Sequence, residues 1–495
     1  MNIPFNKLAI RYVGLIALVI ASCAATSGFC IILVAIYGLV ISFVNVRKAI
    51  LCEILLAFLV MINSAIVPKV LLISGLGLRF GILLIAGVLA IRGASIERQG
   101  IPGWGMVPVL LIACVSSANG WYPRISYLKL MLFSTFFLGL LLGTRLIKRD
   151  ISIACHIRAF LYAICVVVII GSLMTLPFPG IAYATSLKTA INEGGVAYAN
   201  EVYVGDGGAY SSLFSGIIYH SQDLAPLLAC LFTWLLCDML FVERRPRLFH
   251  IILLVLSVPM LFMTRSRVGF LSLGCGSFMV VSYMARQVNL PNSLRRQVSH
   301  MATLFAWAMI LAASASELYD NGISRWIRKT NDIGGDDRSL SMAITNSRQG
   351  CIEESMNEFH KRPFIGMGFQ VDSKTRTKVG NYQGLVLSAP IEKGVLPLMV
   401  LGELGIIGEL CFFMFLFSFI YGCHRKRFFC TNVLFVTFLA TNMGEATFFS
   451  AGGSGGLEWL VCILGGFAID MLVDKSEFEQ RLMFGNGDCF WERTV

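Results

Sequence analysis

The stretch YVGLIALVIASCAATSGFCIILVAIYGLVISFV, residues 12–44, contains no charged side chain. It follows directly after Lys7 and Arg11 and shows no small-residue cleavage site, so it predicts a retained membrane anchor rather than a cleaved signal peptide. The rest of the chain has the same character: of 495 residues, 56% are hydrophobic and 14% are charged, and the mean hydropathy is +0.75. Soluble domains carry about 25% charged residues. The sequence therefore predicts an integral membrane protein.

Apolar runs recur along the chain, and about fourteen of them are long enough to cross a bilayer as a helix. They lie near 12–26, 28–45, 49–66, 72–91, 103–117, 126–144, 153–175, 223–242, 248–263, 268–285, 299–314, 394–421, 428–447 and 456–473. We therefore expect an all-α, polytopic fold of about 12–14 transmembrane helices, which form a single transmembrane domain over residues 1–495.

Basic residues cluster in alternate short loops between these runs. If the N-terminus is inside, every basic loop faces the cytoplasm, as the positive-inside rule requires. These loops contain Arg47-Lys48, Arg92 with Arg98, Arg145 with Lys148-Arg149, Arg244-Arg245 with Arg247, Arg286 with Arg295-Arg296, and Arg425-Lys426-Arg427. Two longer segments, 177–221 and 315–391, are then external, and we expect the second to be a large helical loop that carries catalytic elements. The net charge of +11 is accounted for by topology, so nucleic acid is not an expected partner.

Cysteine and histidine spacing argues against a metal centre. The chain has 15 cysteines and 6 histidines, but no CxxC and no HExxH motif occurs, and nearly all the cysteines lie inside or beside apolar runs. We therefore expect neither a metal ion nor another cofactor.

An arginine-rich turn, Thr264-Arg265-Ser266-Arg267, interrupts the apolar stretch from Leu248 to Tyr283 at a predicted external position. Arginine within a membrane helix is costly, by about 2.5 to 3.5 kcal/mol at the helix centre and less near the interface. One interpretation is a phosphate clamp, because a guanidinium matches phosphate oxygens in a bidentate manner. The alternative is that Arg265 and Arg267 extend to the lipid headgroups.

A second arginine, Arg348, is predicted to face the interior of the protein. We expect a helix from about Ser341 to Lys361 that is ended by Pro363. One face of this helix reads Arg348, Ile352, Met356 and Phe359, and the opposite face reads Glu353, Glu354, Asn357 and Lys361. Arg348 would then be the one charge that points inward, where it needs an anionic partner. That partner is either a substrate or an internal carboxylate such as Glu403 or Glu445.

The first external segment, from Thr185 to His220, is rich in glycine, tyrosine, asparagine and acidic residues. Aromatic faces with amide and carboxylate acceptors suit a neutral sugar, although a solvated loop has the same composition. His220 stands just before a predicted membrane helix, where a histidine is more often a capping residue than a catalyst.

Four motifs occur in a characteristic order between about 215 and 410. They are the Thr-x-Ser-Arg turn at 264–267, the arginine of Ser347-Arg348, the signature Arg362-Pro363-Phe364-Ile365-Gly366-Met367-Gly368, and the helix start Glu403-Leu404-Gly405-Ile406-Ile407-Gly408. In these motifs the chain resembles the superfamily of O-antigen ligases and Wzy-type O-antigen polymerases of the bacterial envelope. The more N-terminal helices are similar to that family in hydropathy alone.

The resemblance implies a metal-independent glycosyltransferase in the bacterial inner membrane, with its active face in the periplasm. Its donor would be an oligosaccharide on undecaprenyl diphosphate, its acceptor a second glycan, and its further partners membrane lipids, a chain-length regulator or other polysaccharide assembly proteins. Arg267, with Arg265 beside it, and Arg348 would bind the diphosphate and stabilise it as the leaving group. Further substrate-binding candidates are Arg362, Lys393, His220 and Glu403.

The chain departs from the ligase pattern at one point. Ligases carry a histidine shortly before the Glu-x-Gly-x-x-Gly helix, whereas this chain has no histidine between His360 and His424. Glu392 is the candidate general base in that neighbourhood, and the missing histidine favours a polymerase over a ligase. The alternative that is not an enzyme is a transporter or flippase of lipid-linked saccharides. Its candidate pathway residues lie within predicted crossings and are Glu53, Arg79, Lys129 and Glu409.

Overall fold

The computed structural model describes residues 5–63, 65–67, 72–97, 100–183, 186–192, 195–201, 214–243, 247–264, 266–287, 352–353, 355–371, 395–444 and 446–473. This part of the chain is a helical bundle in which six helices are long and apolar enough to cross a membrane. They are Phe5–Ala25, Pro123–Arg149, Ile151–Met174, Ser221–Glu243, Leu396–Arg425 and Gly455–Val473. The expected all-α membrane class is confirmed for the bundle.

The elements follow the predicted order. The first eight helices are α1 (Phe5–Ala25), α2 (Phe29–Val44), α3 (Val46–Met61), α4 (Leu72–Ala94), α5 (Met106–Asn119), α6 (Pro123–Arg149), α7 (Ile151–Met174) and α8 (Pro179–Ala182). An antiparallel hairpin of β1 (Ser186–Asn192) and β2 (Gly195–Glu201) follows within the predicted segment 177–221. The remaining helices are α9 (Ser221–Cys237), α10 (Leu248–Thr264), α11 (Arg267–Gln287), α12 (Leu396–Arg425), α13 (Phe429–Thr441) and α14 (Ser454–Leu460).

Two helices continue as π-helical turns, α9 through Asp238–Glu243 and α14 through Val461–Gly465. The predicted crossing near 299–314 lies outside the described residues, and each of the other predicted crossings coincides with a described helix.

Small residues allow the helices to approach closely, as is typical of membrane bundles. A Cβ atom at Gly139 of α6 would lie 2.7 Å from Ala86 of α4, and one at Gly93 of α4 would lie 2.4 Å from the Leu142 carbonyl oxygen of α6. Because the side chains at these contacts are so small, the backbones of α4 and α6 pack directly on each other.

Basic residues from separate loops meet at one end of the bundle, which we name the basic end. Arg47 Nη1 bonds to His156 Nε2 at 3.1 Å and links the start of α3 to the start of α7. Arg92 Nη1 donates to the Ser42 carbonyl at 2.7 Å and links the ends of α4 and α2. Other described basic residues at this end are Lys48, Arg145, Lys148, Arg149, Arg247 and residues 425–427. The predicted grouping of these basic loops on one side agrees with their positions in the bundle.

The opposite end carries the polar motifs, and we name it the motif end. Its framework is a backbone connection between the end of α3 and the start of α9, in which Asn63 N donates to Ile217 O and Tyr219 N donates to Met61 O, both at 2.8 Å. The motif end carries His220, Arg267, the segment 362–371 and residues 402–405 of α12.

A buried ion network closes the basic end. Arg158 of α7 donates from Nε to Asp238 Oδ1 at 2.5 Å and from Nη2 to Asp238 Oδ2 at 3.1 Å, and it also pairs with Glu243. The guanidinium carbon of Arg158 lies 4.0 Å from the ring centre of Phe5, which ties α1 to the network. Arg247 pairs with Glu243 at 2.7 Å.

We expect Arg158→Ala to lower the stability of the folded protein by about 3–5 kcal/mol, because removal of one partner leaves Asp238 buried without its charge-compensating arginine. Thermal unfolding in detergent measures this loss. A double variant, Arg158→Met with Asp238→Asn, removes both charges and should lose markedly less stability. Equal melting temperatures for wild type and Arg158→Ala would contradict the prediction.

Candidate functional site

The turn that precedes Arg267 is held by the hydroxyl groups of Thr264 and Ser266. Thr264 Oγ1 accepts the Ser266 N–H at 3.3 Å, and Ser266 Oγ accepts the Gly269 N–H at 3.3 Å, which makes Ser266 the cap of α11. Thr264 and Ser266 are therefore explained by local structure. Arg267 is the first residue of α11 and is half-buried. Its position combines a guanidinium with the positive end of a helix dipole, which favours an anion.

The surroundings of Arg267 connect it to α9 and α13. A Cβ atom at Gly269 would lie 2.8 Å from Ala225 Cβ of α9, so α11 packs directly on α9. A Cβ atom at Gly444, just after α13, would lie 2.1 Å from Val268 Cγ2. The residue next to Arg267 thus touches the chain that leaves α13.

His220 caps α9, as its position in the sequence suggests. Its Nδ1 atom accepts the Gln222 N–H at 3.1 Å. An imidazole that accepts through Nδ1 carries its proton on Nε2 when it is neutral, so the remaining nitrogen is a donor. This arrangement suits the capping interpretation better than a role as general base, and the predicted contact of His220 with substrate stays a prediction.

The helix α12 is broken at Gly405, which has φ 67° and ψ −173°. The predicted crossing 394–421 is therefore present, but it is not one continuous helix. A break of this kind leaves backbone groups without their helical partners, and in a membrane these groups must be satisfied by other parts of the protein.

The signature segment, residues 362–371, fills this break. Four backbone hydrogen bonds join the two motifs: Met367 N to Gly402 O at 3.1 Å, Gly368 N to Glu403 O at 3.1 Å, Ile406 N to Pro363 O at 2.8 Å and Ile407 N to Phe364 O at 3.4 Å. The carbonyl groups before the break and the N–H groups after it are thereby paired. Two motifs that are separate in the sequence form one structural unit.

Two glycines make this docking possible. Gly366 has φ 69°, and a Cβ atom there would lie 2.2 Å from the Glu403 carbonyl oxygen. A Cβ atom at Gly405 would lie 2.4 Å from the carbonyl carbon of Phe364. Any side chain at either position would collide with the main chain of the other motif.

Glu403 holds the signature segment in place. Its side chain is 1% exposed, and Oε2 accepts the Gln370 N–H at 2.8 Å. The Glu403 carbonyl oxygen also accepts the Ser116 hydroxyl at 2.7 Å. Lys129 of α6 donates from Nζ to the Gln370 carbonyl at 3.0 Å. Glu403 and Lys129 therefore have packing roles, and the predicted contact of Glu403 with substrate stays a prediction.

A buried connection between α13 and α14, residues 446–453, lies beside the signature segment; we name it the α13–α14 loop. Gln370 Nε2 donates to the Phe449 carbonyl at 2.6 Å, and Trp459 Nε1 donates to the Phe448 carbonyl at 2.6 Å. An aromatic cluster supports both segments and comprises Phe133, Phe137, Phe369, Phe412, Phe415, Phe435, Phe438, Phe448, Phe449 and Trp459.

Arg362 lines an open depression of about 420 Å³ at the motif end, together with Asn119 and residues 363–365. Its guanidinium makes no hydrogen bond or ion pair with the described part of the chain. Beside the depression, Lys361 Nζ lies 5.1 Å from the ring centre of the exposed Trp121. Cationic, amide and aromatic groups are thus available to a ligand here.

The helix before Pro363 ends at Lys361, as predicted. Glu353, Asn357 and Lys361 are exposed, which confirms the predicted outer face. The expectation that Arg348 is the one inward charge is wrong, because Glu358 is 1% exposed. Its Oε2 would lie 3.5 Å from a Cβ atom at Gly402, so the small glycine of α12 leaves room for this carboxylate.

Several predicted site residues lie outside the described residues, and their roles stay predictions. These are Arg265, Arg348, Glu392 and Lys393, together with the candidate salt-bridge partner Glu445. Glu358 is a described, buried carboxylate at the motif end that sequence reasoning missed. The one feature of the sequence that relates to the buried position of Glu358 is its spacing of three residues from Ser355. Ser355 is 2% exposed and lies on the same buried face of the helix.

The comparisons with known proteins add no identification: no family model matches the chain, and no curated protein is significantly similar to it.

Proposed function

We propose that the protein is a membrane glycosyltransferase that polymerises oligosaccharide repeat units, carried on undecaprenyl diphosphate, into O-antigen, capsule or exopolysaccharide. The observation that carries the proposal is the docking of the signature segment 362–371 into the break of α12 at Gly405. Irregular backbone at membrane depth is tolerated where it is buried in protein or lines a cavity, and in transporters such broken helices build substrate sites. Arg267 lies at the same end of the bundle.

The orientation belongs to the same proposal. The arginines and lysines of the basic end are expected in the cytoplasm by the positive-inside rule. The motif end then faces the periplasm of a bacterial inner membrane, where lipid-linked repeat units and a growing glycan would meet.

In the proposed reaction, an acceptor hydroxyl attacks C1 of the donor sugar in line, with inversion. The bond between C1 and the diphosphate oxygen breaks, and its electron pair stays on the lipid diphosphate. Arg267, at the start of α11, and Arg348 neutralise the charge that develops on this leaving group. A carboxylate base, for which Glu392 is the candidate, takes the hydroxyl proton. The step needs neither a metal nor an oxidant.

The depression around Arg362 is the candidate contact surface for the glycan near the proposed reaction centre. Asn119 lines the depression, and its Nδ2 atom donates to the Val115 carbonyl oxygen. The amide oxygen of Asn119 is then available to accept a hydrogen bond from a sugar hydroxyl. Sugars present hydroxyl groups and apolar C–H faces, and the exposed rings of Trp121 and Phe364 suit those faces.

A transporter of lipid-linked saccharides is the second candidate, and Glu53 favours it. The Glu53 side chain is 1% exposed in α3, and its Oε1 has no hydrogen-bond partner in the described part of the chain. Buried ionisable residues within membrane helices often mark ion or substrate pathways. A ligase remains the alternative within the same resemblance.

Deletion of the protein is expected to leave single repeat units, either on the lipid carrier or capped onto the final acceptor, because a polymerase acts after the unit has crossed the membrane. Electrophoresis of envelope glycans with mass spectrometry of the lipid-linked pool measures this outcome. Loss of a ligase would instead leave long polymer on undecaprenyl diphosphate. Loss of a transporter would trap single units that face the cytoplasm. Long lipid-linked polymer in the deletion strain would contradict the polymerase proposal. Re-expression of the wild-type chain, which should restore normal polymer, is the control.

A further inference from the structure

Arg79 differs from Arg92 and Arg158, two other described arginines within the helices. It lies on α4, about 10 Å along the helix axis from Leu72, where the helix begins at the motif end. Its side chain is partly buried. With the described residues, its guanidinium makes no hydrogen bond, ion pair or ring contact.

Two other arginines within the helices, Arg92 and Arg158, have partners in the protein. Arg92, on the same helix α4, donates to the Ser42 carbonyl at 2.7 Å. Arg158 of α7 is paired with Asp238 and Glu243. A guanidinium at membrane depth is costly unless it has an anionic or polar partner, so such residues usually mark a functional site. Among the described residues, Arg79 therefore has no partner of the kind that Arg92 and Arg158 have.

The α13–α14 loop links Arg79 to the candidate site. At one end of this connection, a Cβ atom at Gly452 would lie 3.1 Å from Arg79 Cγ, so the arginine stem packs directly on the loop backbone. Just before the loop, Gly444 contacts Val268, the residue next to Arg267. Between them, the Phe449 carbonyl accepts a hydrogen bond from Gln370 of the signature segment. Arg79 and Arg267 thus flank one short connection.

We infer that Arg79 is a phosphate-binding residue, which receives the anionic group of a lipid ligand between the helices at the motif end. A guanidinium suits phosphate because its planar set of N–H groups matches two phosphate oxygens at once. The inference rests on the proposed function for the identity of the ligand as an isoprenoid diphosphate. A phospholipid headgroup offers the same phosphate chemistry, and the experiment separates the two sources.

The test measures binding to the full-length protein in uncharged detergent, with farnesyl diphosphate as one probe and phosphatidylglycerol in mixed micelles as the other. Arg79→Gln is expected to lower the affinity for farnesyl diphosphate at least tenfold. Its melting temperature without ligand should stay the same or rise, because the variant removes a charge that has no partner among the described residues. Arg92→Gln is the matched control on the same helix and should keep the wild-type affinity.

A second variant tests the geometry without changing any charge. Gly452→Ala places a methyl group against the Arg79 stem and is expected to weaken farnesyl diphosphate binding, though less than Arg79→Gln does. Gly180→Ala is its control, because no atom from elsewhere in the described part of the chain lies within 4 Å of a Cβ atom at that position of α8.

The outcomes are distinct. Loss of farnesyl diphosphate binding supports a site for the lipid-linked substrate, whereas loss of phosphatidylglycerol binding alone supports a phosphate site that holds a headgroup. Unchanged affinity for both probes in Arg79→Gln overturns the inference, and so does a large fall in melting temperature with unchanged ligand binding. Because binding is measured without turnover, the result does not depend on whether the deletion strain accumulates single repeat units.

Discussion

Arg267→Ala should abolish glycan polymerisation while the protein still accumulates in the membrane. Loss of one donor that stabilises developing charge typically lowers the catalytic rate by about 100- to 1000-fold. In the proposed reaction, the guanidinium of Arg267 is such a donor, and the residue is half-buried at the start of α11. The measurement is incorporation of lipid-linked repeat units into polymer by membranes that contain equal amounts of each variant.

Arg267→Lys separates charge from geometry. Lysine keeps the positive charge but loses the bidentate arrangement of N–H groups, so we expect it to restore little activity. Arg124→Ala is the matched control, because Arg124 is an exposed arginine at the start of α6 on the same end of the bundle. Near-normal polymerisation by Arg267→Ala would refute the role of this arginine in diphosphate binding.

Gly405→Ala is expected to disrupt both folding and activity. The backbone at Gly405, with φ 67° and ψ −173°, lies in a region that residues with a side chain adopt at a cost of about 1–3 kcal/mol. The added Cβ atom would also lie 2.4 Å from the carbonyl carbon of Phe364, which cannot move away without loss of the hydrogen bonds between the two motifs. A strong fall in melting temperature in detergent, together with loss of polymerisation, is the expected result.

Gly366→Ala should behave like Gly405→Ala, because its Cβ atom would lie 2.2 Å from the Glu403 carbonyl oxygen on the other side of the same contact. Gly14→Ala in α1 is the control, because no atom from the other described segments lies within 4 Å of a Cβ atom there, and alanine favours the helix by about 1 kcal/mol. If Gly405→Ala and Gly366→Ala both melt and polymerise like Gly14→Ala, the close docking of the two motifs is incorrect.

Local patterns in the sequence predicted local structure well. The end of the helix before Pro363 was predictable because proline cannot continue a helix, and the capping role of His220 followed from its place before an apolar helix. The location of Arg47, Arg92 and Arg145 at the same end of the bundle was predictable, because each of them stands at the end of an apolar run. In all these cases the deciding interactions lie within a few residues along the chain.

Contacts between distant segments were not predictable in the same way. The glycine spacing in 362–368 and in 402–408 indicates that another segment packs closely against each of these backbones. It does not identify that segment. The inward position of Glu358 depends on the small Gly402 of another helix. The lack of a partner for Arg79 among the described residues depends on the charges of the helices packed around it, which no single stretch of sequence contains.

The sequence by itself predicted a helical membrane bundle with the described basic residues grouped at one end, because hydrophobicity and charge act residue by residue in the choice between lipid and water. Only the tertiary structure decided that α12 breaks at Gly405 and that the signature segment fills the break. The physical reason is that hydrogen-bond pairing of buried backbone groups must be complete, and the partners that complete it lie far apart in the chain.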